Sequence, residues 1–159
     1  MSPASRTTTA YFDSSALVKR YFTESGTVWV QTWCDDPNRT ITIAEVGLVE
    51  IAAAFAGKLR GGFIAPTAYK NARADLTADA QNEYVLVTVD RLIVDEAIEL
   101  TSRYRLRGYD AIHLACALRL NQTLMTHQLP SIIFISADTD LLAAVTAEGL
   151  ATDNPNHHP

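Results

Sequence analysis

Two hydrophobic periods alternate along the chain. Thr9 to Phe12 is a short apolar run with strand character, and helical spacing follows from about Ser15 to Phe22 and again from about Gly26 to Trp33. Asp35 to Arg39 carries turn chemistry around Asp36-Pro37-Asn38. Thr42-Ile43-Ala44-Glu45 fits a capping box, with Thr42 as N-cap and Glu45 reaching back, and a long helix then runs to about Arg60, where Gly61-Gly62 stops it. Pro66 opens another helix, to about Ala80. Tyr84 to Val89 is nearly continuous in apolar character, as a buried parallel strand is. Helices are expected over about Arg91 to Tyr104 and Asp110 to Leu120, then a polar loop from Asn121 to Pro130 that includes His127. Ser131 to Ser136 is the clearest strand. Thr139 to Glu148 is helical, Gly149 ends it, and Asp153 to Pro159 reads as a loop tail.

Strands that alternate with helices predict an α/β fold, a three-layer α/β/α arrangement around a central parallel sheet. The length of 159 residues suits one domain, with its core over about residues 10–156. Hydrophobic residues make up 48% of the chain, enough for a packed core. Met1 to Ala10 is polar and has no apolar signal segment, and no apolar run approaches the roughly 18 residues of a membrane helix. The expectation is a cytoplasmic protein with no membrane partner. Cys34 and Cys116 lie far apart and form no CxxC pair, so a thiolate zinc site is not supported; Cys116 falls on an apolar helix face. The net charge of −5 speaks mildly against a nucleic-acid ligand, unless bound cations reverse the local sign.

Four carboxylates depart from a surface pattern. Asp13 directly follows the first strand and Asp138 directly follows the last clear one. In an open parallel sheet ligands bind outside the carboxyl ends of the strands, which is where both stand. Each also suits a helix N-cap. Glu50 has small or apolar neighbours one turn away (Val46, Gly47, Ala53, Ala54), which puts it on the helix face expected to meet the sheet. A buried carboxylate there must be paired, protonated or bound to a metal. Glu45 is explained by the capping box. Asp110 opens an almost wholly apolar helix, as a cap, a ligand or both. Carboxylates gathered in a wet pocket repel one another, and hard cations such as Mg²⁺ or Mn²⁺ relieve this. The reaction class that follows is metal-assisted phosphodiester hydrolysis.

These motifs together resemble a known family. Tyr11-Phe12-Asp13-Ser14-Ser15-Ala16-Leu17, Val49-Glu50-Ile51-Ala52-Ala53-Ala54, Tyr109-Asp110-Ala111-Ile112-His113-Leu114-Ala115 and Ile135-Ser136-Ala137-Asp138 are similar, in order and spacing, to the four acidic motifs of VapC-like PIN-domain proteins. Leu141-Leu142, Glu148-Gly149-Leu150 and Asn154-Pro155-Asn156 extend the likeness, which spans roughly Ala10 to Asn156. The resemblance implies the PIN fold, a relative of the Rossmann arrangement. It implies an endoribonuclease toxin of a toxin–antitoxin pair, inhibited by a VapB-like antitoxin and assembled as a homodimer. It also implies Mg²⁺, or Mn²⁺, held by Asp13, Glu50, Asp110 and Asp138, with Asp140 as an extra candidate. Ser14 and Ser136 match hydroxyl positions that support the ligands.

Lys19, Arg20, Arg105 and Arg107 are candidates for phosphate contacts, and Arg103 alternates with the last two. Their alternative is a cationic helix C-terminus facing water. Trp29 and Trp33, four apart on one helix, suit packing against the core or a partner better than base stacking. Two other functions compete. A dehalogenase-like phosphohydrolase also places Asp after the first strand, but needs a second Asp where Ser15 stands. A non-catalytic binding module on the same scaffold is expected to have lost one of the acids, and none is missing.

Overall fold

The computed structural model describes residues 7–159; the part of the N-terminal reading that concerns residues 1–6 lies outside them. Five parallel strands form one sheet: β1 (Thr8–Phe12), β2 (Arg39–Ala44), β3 (Tyr84–Val87), β4 (Ile133–Ile135) and β5 (Ala151–Asp153), in the order β3-β2-β1-β4-β5. The period-two alternation of the central strands assigns their side chains to two faces. Ala10 and Phe12, Ile41 and Ile43, and Ile135 join the core under α1 (Ser14–Leu17), α2 (Thr27–Asp35), α3 (Glu45–Arg60) and α4 (Pro66–Asn82). Tyr11, Ala44 and Phe134 point the other way, into the core under α5 (Arg91–Arg103), α6 (Gly108–Thr126) and α7 (Thr139–Ala147). The three-layer α/β/α arrangement is therefore as the sequence pattern indicates.

The strand order reverses between β1 and β4, which leave the sheet in opposite directions of progression. That switch point opens a crevice at the carboxyl ends of the strands, and Asp13 and Asp138 follow the two strands that flank it.

Several elements differ from the sequence expectation. Thr42 is not a cap. It lies inside β2, a strand of β-branched residues, and its Oγ1 donates to the Ala10 carbonyl of β1 at 2.7 Å. The N-cap of α3 is Ala44, without a side-chain bond, and the exposed Glu45 instead accepts from Thr88 Oγ1. Turn residues immediately before a short strand had hidden β2. The strand at Tyr84 is an edge strand with Val85 turned outward, not a buried one. Residues 121–126 continue α6 and are not loop; the hydroxyls of Thr123 and Thr126 are accommodated there by bonding back to the carbonyls of the preceding turn. Part of the tail is ordered as β5 and a 3₁₀ turn, Pro155–His157. Trp33 is buried against Phe12, and Trp29 stacks on His158 with ring centroids 4.4 Å apart, so the two do not form an open apolar strip. Both thiols are free, and burial pushes Cys34 and Cys116 up to about 12, which suits packing residues and not nucleophiles. Among the described residues, no helix is long and apolar enough to cross a membrane.

Candidate active site

Asp13 is the N-cap of α1. Its Oδ1 accepts the Ala16 amide at 3.0 Å, so the cap and the functional reading coincide in one residue. The same carboxylate accepts Ser15 Oγ on both oxygens (2.8 and 2.9 Å) and Ser136 Oγ on Oδ2 (2.7 Å). Asp13 is 4% exposed. Burial pushes its carboxyl above the usual range, and the bonds from Ser136, Ser15 and Ala16 offset this only in part. An anion placed here lacks a full complement of positive charge.

The serine expected beside it is corrected by one position. Ser14 makes no side-chain bond to the acids, whereas Ser15 bonds Asp13 and also receives the Ala137 amide at 3.0 Å. Ser136 links Asp13 to Asp138: its hydroxyl donates to Asp13 and accepts the Asp138 amide. The two serines tie the end of β1 to the loop after β4. Ser15 stands where a dehalogenase-like enzyme needs its second Asp, and its hydroxyl engages both Asp13 oxygens, which leaves a poor nucleophile.

Asp138 caps α7 with Oδ1, accepting the amides of Asp140 and Leu141, and turns Oδ2 toward the Arg107 guanidinium at 3.5 Å. Asp110 sits at the third position of α6, two residues later in its helix than expected because α6 begins at Gly108. Its Oδ2 accepts the Arg107 backbone amide (3.3 Å) and the Arg107 Nε (3.1 Å). Arg107 thus lies between two candidate ligands. Its bond to Asp110, then the charges of Asp110 and Asp138, raise its affinity for the proton, although the side chain is 83% exposed. Arg105 and Asp140 line the same cleft as Arg107, Asp110 and Asp138.

Glu50 is half-buried, on the rim and not against the sheet, since Ala53 and Ala54 on its flank are exposed. It is paired: Glu50 Oε1 lies 2.6 Å from His113 Nε2. It shares a second cleft with Asp110 and Arg107, so the two clefts meet at those residues. His113 and its buried neighbour Tyr11 were missed as site residues. Both look like core positions in an apolar run, and only the spacing of His113, three residues after Asp110 and thus on the same helix face, signals them.

Lys19 and Arg20 are elsewhere. Lys19 is buried, with Nζ 3.7 Å from Glu24, and Arg20 bonds Asp79, Glu83 and Tyr84 at the start of β3, the opposite end of the sheet from Asp13. Both are held in ion pairs with acidic side chains of the fold. Arg103 pairs with Glu148. His127 is exposed at the end of α6 and bonds the Thr123 carbonyl of its own helix.

All candidate ligands are carboxylates, a donor set that suits a hard divalent cation. Among the described residues, no three acidic, histidine or cysteine side chains close on one point as they stand. Asp110 and Asp138 share the Arg107 guanidinium as a cation between them. An exposed arginine can leave that position without disturbing the core, so the residues fit such an ion.

A parallel α/β protein with acidic residues gathered at its switch point is the class defined here. The PIN domain family model matches residues 10–146, and the chain belongs to that family. Solved structures share the fold at low identity. A protein from Pyrobaculum aerophilum is 14% identical with a TM-score of 0.64, covering 96% of this chain and 87% of that one. VapC20 of Mycobacterium tuberculosis, a toxin that cleaves the sarcin-ricin loop, is 15% identical with a TM-score of 0.59, covering 89% and 96%. A chain of a toxin–antitoxin complex from Klebsiella pneumoniae is 18% identical with a TM-score of 0.54, covering 92% and 97%. No curated protein matches the chain.

Proposed function

We propose that this PIN-domain protein is a metal-dependent endoribonuclease acting as the VapC-like toxin of a toxin–antitoxin pair. PIN domains are generally nucleases, and typically use divalent metals. The observation that carries the reading is Asp13, Asp110 and Asp138 at one carboxyl edge of the sheet, with a single exposed guanidinium between two of them. Such a surplus of negative charge costs stability and serves hydrolysis of a polyanion only with cations bound. When bound, Mg²⁺ or Mn²⁺ supplies an activated water and positive charge against the scissile phosphate.

Asp13, Glu50, Asp110 and Asp138 would hold the cation, with Asp140 at the cleft wall as an outer candidate. Ser15 and Ser136 fix the Asp13 carboxylate in one orientation. Once displaced from the acids, Arg107 contacts a phosphate of the RNA, joined by Arg105 from the same cleft. An antitoxin protein is the partner this role implies, a homodimer is the assembly the family resemblance suggests, and the cytoplasm is where RNA and antitoxin are met. The solved toxin–antitoxin complex of the same fold supports this partner class.

The test is cleavage of total cellular RNA by purified, antitoxin-free protein with Mg²⁺ or Mn²⁺ and then with EDTA, beside Asp13→Asn and Glu50→Gln. Discrete metal-dependent cuts that both variants lose are expected. No cuts from folded wild-type protein under either metal would overturn the assignment in favour of a binding module.

A further inference from the structure

Glu50 ends a hydrogen-bond chain that begins in the backbone of the sheet. The Ala44 amide donates to Tyr11 Oη at 3.3 Å, Tyr11 Oη lies 2.7 Å from His113 Nδ1, and His113 Nε2 lies 2.6 Å from Glu50 Oε1. The donor inventory permits one polarity that satisfies every partner: the phenol oxygen that accepts an amide gives its own proton to Nδ1. The ring proton then resides on Nε2 and points at a carboxylate oxygen, which only accepts.

The neighbours leave the ring little freedom. Tyr11 is wholly buried and His113 is 1% exposed, with the two rings edge to face at 5.8 Å. Gly47 of α3 closes the remaining side: a Cβ there would stand 3.2 Å from His113 Cε1 and 2.6 Å from Ile43 Cδ1. The absence of a side chain at that position lets α3 approach the imidazole. Helices from the two opposite layers, α3 and α6, are thereby joined beside the end of β2 through a Glu–His bond.

We propose that His113 is a positioning residue, oriented by Tyr11, which holds Glu50 Oε1 and so commits the other oxygen to the cleft that Glu50 shares with Asp110. The metal-nuclease reading supplies what that oxygen binds; the orientation stands apart from it. A histidine that donates one nitrogen to a carboxylate while the other is fixed by a neighbour raises the order of the ligand, and loss of such support typically costs about 10–100-fold in metal affinity.

Four variants of the full chain test this, with thermal melts to confirm folding: Tyr11→Phe, His113→Leu, His113→Gln and Gly47→Ala. Gln places an amide N–H near the Nε2 position and Leu fills the space without a donor. Long-range ¹H–¹⁵N spectra of the metal-free protein report the tautomer, and titration with Mn²⁺ followed by the resonance of the free ion reports affinity. The expected results are a proton fixed on Nε2 in the wild type and lost from a single site in Tyr11→Phe. Mn²⁺ affinity should fall by about 10-fold or more in His113→Leu, with most of it restored in His113→Gln. Gly47→Ala is expected to fall between them. A proton on Nδ1 in the wild type overturns the proposal, as does a folded His113→Leu with unchanged Mn²⁺ affinity. So does a His113→Gln as weak as His113→Leu, which assigns the effect to ring packing. A wild type that fails to bind Mn²⁺ overturns the metal reading instead, and the tautomer still decides the relay.

Discussion

The two ends of the sheet hold the same kinds of charged groups in opposite states of balance. At the amino end, Arg20 faces Asp79 and Glu83 at 3.3 and 2.8 Å, while Tyr84 accepts from it and Tyr21 donates to Asp79. Burial works against the Arg20 charge, yet the interactions with Tyr84 and Glu83 hold its proton more tightly than usual. At the carboxyl end, Asp13 is buried without a guanidinium of its own, and Arg107, the cation between Asp110 and Asp138, is mostly in water. A network that completes its own bonds acts as structure. One that leaves carboxylates short of cations is not closed by its own bonds, at a cost to the fold.

The comparison breaks most visibly through activity. Replacing Asp110 or Asp138 with Asn is expected to reduce RNA cleavage by at least about 100-fold, the scale on which a lost electrostatic stabiliser acts, while urea denaturation shows a folded protein. At the other end, Arg20→Met should lower stability by about 3 kcal/mol, the low end for breaking a buried pair because Glu83 is partly exposed, with specific cleavage by the folded fraction unchanged. Equal loss of activity in both variants would erase the distinction between the two ends.

Asp13→Asn sharpens it further. The folded carboxyl of Asp13 titrates above its unfolded value, so the unfolded chain binds fewer protons between the two and stability falls as pH rises through that window. The metal-free variant should therefore have a higher urea midpoint than the wild type. The advantage should be absent below the ordinary carboxylate range, grow as pH rises through the folded value, and then level off. Arg107→Ala carries the smallest effect: RNA affinity falls uniformly across sequences, and the slope of log K against log salt decreases in magnitude by about one.

Asp13, Asp110 and Asp138 stand out in the sequence because each lies at a strong local signal, a strand end or the start of an apolar helix, whereas Glu50 stands out only by its small and apolar helix neighbours. What escaped was set by contacts distant in sequence. β2 and β5 are strands because β1 and β4 lie beside them, and residues 39–44 alone read as a turn and a cap. Ser15 and Ser14 are equivalent in the sequence; only the entry angle of α1 decides which hydroxyl meets Asp13. Arg20 reads as a free cation until α4 brings Asp79 and Glu83 against it. Glu50 was identified on a face that proved half open, and its actual partner, His113, is 63 residues away.

The sheet pairs its earliest strand with one made much later: Ser136, which bonds Asp13, follows it by 123 residues. At a synthesis rate of 5–20 residues per second that is an interval of roughly 6–25 s. Throughout it a nascent chain has Asp13 and Ser15 but neither the Ser136 hydroxyl nor the loop carrying Asp138. Under the proposed function, the catalytic centre remains unassembled while the ribosome is still reading the message that encodes it, and the order of translation itself delays the danger to that message.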